Sequence, residues 1–418
     1  MSEQPVVVVG FSLVALKSLA EFQPDATVIV IEEPDVVRKR DLLTQVGQLP
    51  VVRELVQWEY QLPGTADAFY NARPDLAPVA VAPLSDYGVP FAARLSERYG
   101  VPGAGFGAAS LLRDKEQLRL VARAAGIANP ESEPVASPDA LRAFMAAHPG
   151  PVVLKPANRQ AAVGVRVLHA ADEVDEAWAE CTVQDEGVFV PDRPMPLRML
   201  AERCVVGPEF SVEMLVRDGV ALFGNVTAKE LYPGPRPVES GHVAPAGISP
   251  ELTRAMLERT ERLLQAVGFG SGITHCEWIV ADGTPYLVEC AGRFAGDAII
   301  ELIERAYGID LVRSFWAVMK GQPLPAPLNG TAGQAAAIRF VVADPGEIEA
   351  VSGVEEALAV PGVVSAAVSF KPGDRTYELR CSWDRIGSAI ACGATPGEAV
   401  DRAREAVGLI EVKVRPVA

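Results

Sequence analysis

The sequence predicts a multidomain protein of mixed α/β and α+β class. It opens with a parallel α/β unit, continues into a strand-rich centre, and ends in a strand-rich tail. Three observations carry this. The chain has 418 residues, more than one hydrophobic core normally serves, so two to four structural units are expected. Val6–Val9 is an unbroken β-branched run, as in a strand buried on both faces. A proline-rich stretch over residues 321–327 reads as a linker before the last segment. The boundaries that follow are 1–110, 111–190, 191–320 and 321–418.

The elements follow in order. After Val6–Val9 the pattern gives a helix over 14–22 and a second strand over 26–31. A further β–α alternation covers 78–83 and 91–99, completing a parallel unit. Its first turn, from Gly10 to Val14, holds one glycine where a dinucleotide-binding turn needs three, which argues against NAD even though Glu32 closes the second strand. A helix bearing Asp114 and Lys115 then runs to Gly126. A strand over 152–155, an irregular loop over 156–163, a strand over 164–168 and an acidic helix over 171–180 form a small lobe. Antiparallel strands are expected over 199–205, 209–217 and 220–229, with Asp218-Gly219 as a hairpin turn. A helix spans 250–267, with Ser249 as N-cap, Pro250 in the first turn and Gly268 just past the end. Strands over 273–280 and 286–289 follow. The tail beyond the linker is strand-rich and ends in a helix near 396–407, and no internal repeat is visible.

Composition narrows the function. Hydrophobic residues make up 49% and charged residues 22%, as in an ordinary globular protein. The net charge of −16 comes with no basic stripe, which argues against a nucleic-acid partner. An anionic substrate would have to be held by local cations. The six cysteines form no Cys-x-x-Cys, and there are only four histidines. Free thiols in a reducing cytosol are therefore expected, rather than disulfides or zinc. Met1-Ser2-Glu3-Gln4 lacks the basic start of a signal peptide, and no apolar run approaches the ~18 residues that cross a bilayer. A cytoplasmic protein with no membrane partner is the expectation.

The most informative segment is Cys276 to Glu289. It reads as an antiparallel hairpin. With a three-residue loop at Asp282-Gly283-Thr284, Ala281 pairs with Pro285, Ile279 with Leu287, and Glu277 with Glu289. A two-residue turn would put the two acids on opposite faces. Directly opposed like charges are unfavourable in a sheet. At about 4 Å and an effective dielectric near 20 the repulsion is on the order of 4 kcal/mol. Protonation, an intervening cation from the protein, or a divalent metal would relieve it, and oxygen ligands on strands suit Mg²⁺. Solvated surface acids remain the plain alternative. Arg293, four residues on, can grip a carboxylate or phosphate bidentately; the alternative is an ion pair with Asp297.

These residues resemble the ATP-grasp superfamily of carboxylate–amine ligases, and within it bacterial L-amino-acid ligases of the bacilysin-synthesis type. The resemblance spans nearly the whole chain. It implies an ATP-grasp fold of small lobe (111–190) and large lobe (191–320), between an N-terminal α/β domain and a C-terminal lobe. It assigns Lys115 and Lys155 to ATP phosphates, Glu202 and the backbone of Arg203 and Val205 to adenine, and Glu209 to the ribose. Glu277 and Glu289 take the metal positions, for one or two Mg²⁺ ions with Mn²⁺ as a substitute. Arg293 takes the substrate-carboxylate or acyl-phosphate position, with Gly296 beside it. Residues 238–245 resemble the loop that recognises the amino acid: Glu239, Ser240, Gly241 and His242 are its substrate residues, and His242 is a candidate base for the attacking amine.

Two departures stand out. The family usually has asparagine two residues after the second metal glutamate; here it is Ala291. The phosphate-covering loop is usually glycine-rich, but 157–163 has no glycine before Gly164 and offers Arg159 instead. The resemblance implies a two-step ligation. Mg-ATP phosphorylates a carboxylate, and an amine then attacks the acyl phosphate to give a dipeptide, a γ-glutamyl amide or another amino-acid amide. Catalysis would rest on Lys155, Arg293 and His242. Another ATP-grasp reaction, such as carboxylation or formyl-phosphate ligation, and a nucleotide-binding regulator without turnover are the alternatives. Partners are small carboxylate and amine substrates; a homodimer is left open.

Overall fold

The structure is a computed structural model that describes residues 4–183, 186–328 and 330–416. The Met1–Glu3 start read above for targeting lies outside the described residues.

The first unit is a four-stranded parallel sheet: β1 (Val6–Val9), β2 (Val28–Glu32), β3 (Val52–Gln57) and β4 (Ala80–Pro83), in the order β3-β2-β1-β4. Every residue of β1 is buried, because helices or a neighbouring domain cover both faces, as parallel sheets require. The sequence reading missed β3. Its Val-Arg-Glu-Leu-Val-Gln pattern is only half buried, as befits an edge.

The single helix expected around Lys115 is two. Phe106–Leu112 ends, and Asp114 caps a new helix, Lys115–Ala124, by accepting hydrogen bonds from the Glu116 and Gln117 amides. This places Lys115 at the first turn, at a bend between lobes. The small lobe follows as β5 (Ser132–Val135), β6 (Val152–Pro156), β7 (Arg166–Leu168) and β8 (Met199–Arg203), in the order β5-β8-β6-β7. The strand read as the opening of the large lobe is thus β8, paired with β5 and β6. Residues 204–208 do not turn it back on its successor; they carry the chain from one sheet to another.

The central sheet has eight strands. It contains β9 (Glu209–Arg217), β10 (Val220–Leu231), β11 (Glu239–Ala244), β12 (Gly272–Ala281), β13 (Thr284–Ala291) and β14 (Ala335–Val341). After β15 (Gly346–Ser352) come β16 (Val363–Val368), β17 (Arg375–Thr376), β18 (Gly387–Gly393) and β19 (Glu411–Arg415). The order β13-β12-β9-β10-β11-β14-β18-β16 runs from the large lobe into the tail without a break, and β17-β15-β19 is a separate small sheet. The region expected as an amino-acid-recognising loop is therefore strand β11, hydrogen-bonded on both sides.

Helix Pro250–Val267 packs over one face, capped by Ser249 and ended by Gly268 at φ +72°. Trp278 lies fully buried beneath it, its indole N–H donated to Thr260. Helices Ile299–Tyr307 and Leu311–Met319 join the opposite face to the N-terminal sheet in one continuous core that runs from Val6 and Val30 through Ile303 and Trp316 to Ile338 and Ile390. The N-terminal unit is consequently anchored, with its strand ends facing the central sheet. No described helix is long and apolar enough to cross a membrane. All six cysteines are free thiols.

Candidate active site

A cavity of about 1580 Å³ opens between the three lobes and the N-terminal sheet. Lys115, Lys155, Glu202, Arg203, Val205, Glu209, Glu239, His242, Glu277, Glu289, Arg293 and Gly296 all line it. Ser240 and Gly241, expected as substrate residues, do not. Gly241 instead allows close packing of strands: a Cβ there would lie 2.4 Å from the Ile338 carbonyl oxygen. Ser240 falls at an irregularity where β10 and β11 shift register. That shift lets Glu239 and His242, three residues apart, both reach the cavity, which plain alternation forbids.

Glu277 and Glu289 do oppose one another, but by a route different from the one expected. The turn has two residues, Asp282 and Gly283, at φ +48° and +72°, and Ala281 pairs with Thr284, Val280 with Pro285, Ile279 with Tyr286 and Trp278 with Leu287. Continued regularly, this register would separate the acids. A bulge at Val288 shifts it by one, and Glu277 then pairs with Glu289. The expected Ile279–Leu287 and Ala281–Pro285 pairs are therefore absent. Ala291 sits opposite His275.

The charge conflict is met by lysines. Lys229 Nζ lies 2.6 Å from Glu277 Oε1 and 3.1 Å from Glu239 Oε1. His275 Nε2 is 3.1 Å from the same Glu277 oxygen, and its Nδ1 is 2.8 Å from Glu213 Oε1. Glu213 also accepts hydrogen bonds from Thr227 and Asn225. Burial alone would raise the Glu277 carboxyl, but Lys229 and His275 hold it well below its usual range. Burial likewise opposes charge on His275, and the two carboxylates overcome it and lift the imidazole to about 9. Among the described residues Glu289 has a single cation, Lys115 Nζ at 2.8 Å, which also donates to the Arg159 carbonyl. Lys229 was not singled out in the sequence, because a lysine within a long alternating strand carries no local mark.

The small lobe brings Lys155 and Glu202 together. The Nζ of Lys155 lies 2.7 Å from Glu202 Oε2, and Arg119 holds the same carboxylate through two nitrogens at 2.9 and 3.2 Å. Burial lowers the Lys155 ammonium despite that partner. Glu209 has no ion pair among the described residues. Burial, joined by the charges of Glu277 and Glu239, pushes it to about 7 although Lys229 opposes the shift. In the irregular loop over 156–163, Ala161 and Ala162 take φ of +56° and +57°. Two alanines thus occupy the left-handed backbone that glycines supply without cost. Arg159 is turned to Glu186 and the Val183 carbonyl.

Arg293 pairs with Asp86 at 2.6 Å, not with Asp297. Asp86 comes from the loop after β4, and Arg293 and Arg113 hold it near 2 against its burial. The N-terminal unit therefore supplies a site residue that local sequence did not reveal. Asp297 has other partners. It receives both terminal nitrogens of Arg385 and lies 3.0 Å from His242 Nε2. An ionised Asp297 accepts from an N–H, so Nδ1 of a neutral His242 is its lone-pair nitrogen. That nitrogen is buried and has no partner among the described residues.

Among the described residues no group of three or more His, Cys, Asp or Glu side chains forms a metal cage. The donor set nevertheless suits a hard cation that is also bound by phosphate oxygens. One oxygen of each of Glu277 and Glu289 is engaged by a lysine, and the other has no protein partner among the described residues. Mg²⁺ commonly takes one or two carboxylates, with substrate phosphates and water completing the octahedron.

Comparison with known proteins settles the fold family. Residues 148–301 match the ATP-grasp domain, and residues 339–415 match the L-amino acid ligase C-terminal domain 2. Residues 148–301 therefore carry an ATP-grasp domain. The chain is 26% identical over 343 residues to an uncharacterised protein of Sinorhizobium fredii, covering 82% of itself and 69% of that protein. It is 23% identical over 235 residues to the alanine–anticapsin ligase of Bacillus subtilis, covering 53% of itself and 49% of the ligase. The chain thus spans about half the length of that ligase. The structure of an L-amino acid ligase from Bacillus licheniformis superposes with a TM-score of 0.80 at 18% identity, over 99% of both chains. At that identity the likeness is one of ATP-grasp fold.

Proposed function

We propose that the protein is an ATP-dependent ligase that activates an amino-acid carboxylate as an acyl phosphate and joins it to an amine, usually of a second amino acid. The observation that carries this reading is the convergence, in one cavity, of three lysine–carboxylate pairs with an arginine and an aspartate-oriented histidine: Lys115–Glu289, Lys155–Glu202, Lys229–Glu277, Arg293–Asp86 and His242–Asp297. Mg²⁺ held by Glu277 and Glu289 would supply charge neutralisation at the phosphates. Lys115 and Lys155 bind the triphosphate from the small-lobe side, with Glu202 and the backbone of Arg203 and Val205 at the base and Glu209 at the ribose. Glu239, Gly296 and Arg293 surround the substrate.

In the first step a carboxylate oxygen attacks the γ-phosphorus, the bond to the β-phosphate oxygen breaks, and ADP leaves. In the second, the amine nitrogen attacks the acyl carbon, phosphate departs, and one proton is lost from nitrogen. His242, oriented by Asp297, takes up that proton. Arg293 stabilises charge on the acyl phosphate, and the 156–163 loop shields it from water. Support comes also from the match to the C-terminal domain of L-amino acid ligases. A small-molecule carboxylate and amine are the substrates, in a cytoplasmic setting.

The test is phosphate release from Mg-ATP across all pairs of amino acids, with product masses. Release that requires two amino acids and gives a condensed product is expected. Release with bicarbonate or formate alone would overturn the amino-acid reading, and ATP binding without any ADP would reduce the protein to a regulator. His242→Ala should damage use of the amine substrate more than ATP binding; equal loss in both contradicts its role.

A further inference from the structure

Six arginines and three lysines line the central cavity. Lys115, Lys155, Lys229, Arg119, Arg159, Arg203, Arg293 and Arg385 each have a carboxylate partner within 4 Å. Arg40 alone has no ion pair among the described residues. It follows helix Pro34–Lys39, beyond the end of β2. Its guanidinium carbon lies 5.2 Å from the ring centre of Phe11 and 4.9 Å from that of Phe189. Its one side-chain hydrogen bond among the described residues is a long donation, 3.4 Å, to the Phe11 carbonyl. A guanidinium has five N–H donors, so most are unspent. Two aromatic rings restrain it, as rings hold a planar cation.

Arg40 overlooks a crevice at the carboxyl ends of the parallel strands, beside the point where strand order reverses between β1 and β4. Ligands of open parallel sheets lie there. Gly10 is required at this point, since a Cβ would sit 2.6 Å from Ser85 Oγ. Tyr60, whose hydroxyl lies 3.4 Å from Ser85 Oγ, and buried Glu32 continue the wall. Ser85 adjoins Asp86, the partner of Arg293, so the crevice is continuous with the reacting end. Burial raises Glu32 to about 7, so near neutral pH it only partly offsets the charge of Arg40.

A ligation of two amino acids leaves one carboxylate unreacted. That group must enter a cavity whose other cations are already neutralised, and a carboxylate buried without a partner is costly. We propose that Arg40 binds the free carboxylate of the amine-donating substrate, making this crevice the acceptor-carboxylate subsite; the assignment rests on the ligase reading above. A fork of unspent N–H donors suits the two oxygens of a carboxylate.

The experiment compares wild type, Arg40→Gln and Arg40→Lys with each L-amino acid and its carboxamide as acceptor. It reads kcat/KM and, separately, thermal stabilisation by each acceptor with Mg-ADP present. Wild type should prefer free acids to amides by roughly ten- to a hundredfold. In Arg40→Gln that ratio should fall toward one, with the loss in KM, and Arg40→Lys should recover part of it. A ratio is read within one variant, so a general loss of folding does not mimic the result. Turnover with an unchanged ratio in Arg40→Gln overturns the assignment and leaves the ligase reading intact. No turnover, but stabilisation by free acids that Arg40→Gln loses, overturns the ligase reading and leaves the anion subsite. No discrimination between acid and amide by wild type, in either measurement, overturns the assignment outright.

Discussion

Glu277 and Glu289 face each other across one strand pair, yet they are held differently. Glu277 is fixed from within the central sheet: Lys229 on β10, and His275 on its own strand backed by Glu213 on β9. Glu289 depends on Lys115, which rides on a helix at the lobe boundary and also bonds the loop over 156–163. One carboxylate is thus part of the framework, and the other is tied through Lys115 to the irregular loop over 156–163. Equal chemistry in a motif need not mean equal mechanical coupling.

The largest effects should test that difference directly. Replacing Glu289 with Gln should lower turnover on the order of a thousandfold while the melting temperature stays near wild type; full activity would sink its role. Glu277→Gln should cost comparable activity but also disturb stability, because Lys229 and His275 lose their common acceptor. Next, Lys229→Met leaves Glu277 with His275 alone and Glu239 with only Arg385 at 3.9 Å, and breaking such a buried pair should cost about 3–5 kcal/mol in denaturant unfolding. Lys115→Met, at a more exposed pair, should cost about 1 kcal/mol or less and appear mainly as weaker ATP binding. Similar losses for both lysines would erase the distinction.

A smaller effect concerns Glu209. Its folded pKa is raised to about 7, so the protonated form is favoured by folding. The stabilising contribution is present at low pH and is lost as pH rises through 7. Glu209→Gln should therefore raise the melting temperature of the nucleotide-free protein at pH 8 by a few degrees, with little change at pH 5, while weakening ATP. The same gain at both pH values would contradict the assignment of the shift. The smallest change expected is from Ala161→Gly and Ala162→Gly. Each relieves left-handed backbone but frees the unfolded chain, for a net gain of about 1 kcal/mol or less, seen best as a lower KM for ATP.

How legible was this in the sequence? Local signals translated well: Val6–Val9 and Pro250–Val267 appear with the expected bounds. The hairpin shows a subtler case. An Asp-Gly turn was read one residue too long, and a bulge at Val288 restored the pairing that reading required. Bulges leave no simple composition mark, so the agreement at Glu277 and Glu289 arose from two offsetting departures. Strand β8 was misplaced because Gly207-Pro208 looks like a tight turn, whereas it crosses between sheets. Asp86, Lys229 and Arg385 were invisible for a common reason. Each meets its partner only through tertiary structure, with Asp86 and Arg293 separated by 207 positions.

The unbroken eight-stranded sheet sets a limit on how such a protein can change. His242 stands on β11, whose other edge is zipped to β14, and Arg385, just before β18, clamps the same Asp297 that orients His242. The tail cannot be exchanged as a bead on a string. A transplanted tail from a relative would have to match hydrogen-bond register and the arginine clamp together, or leave β11 as a bare edge inviting self-association. Lineages of this architecture should therefore diversify their chemistry by point replacement around the seam, with recombination across it a rare event.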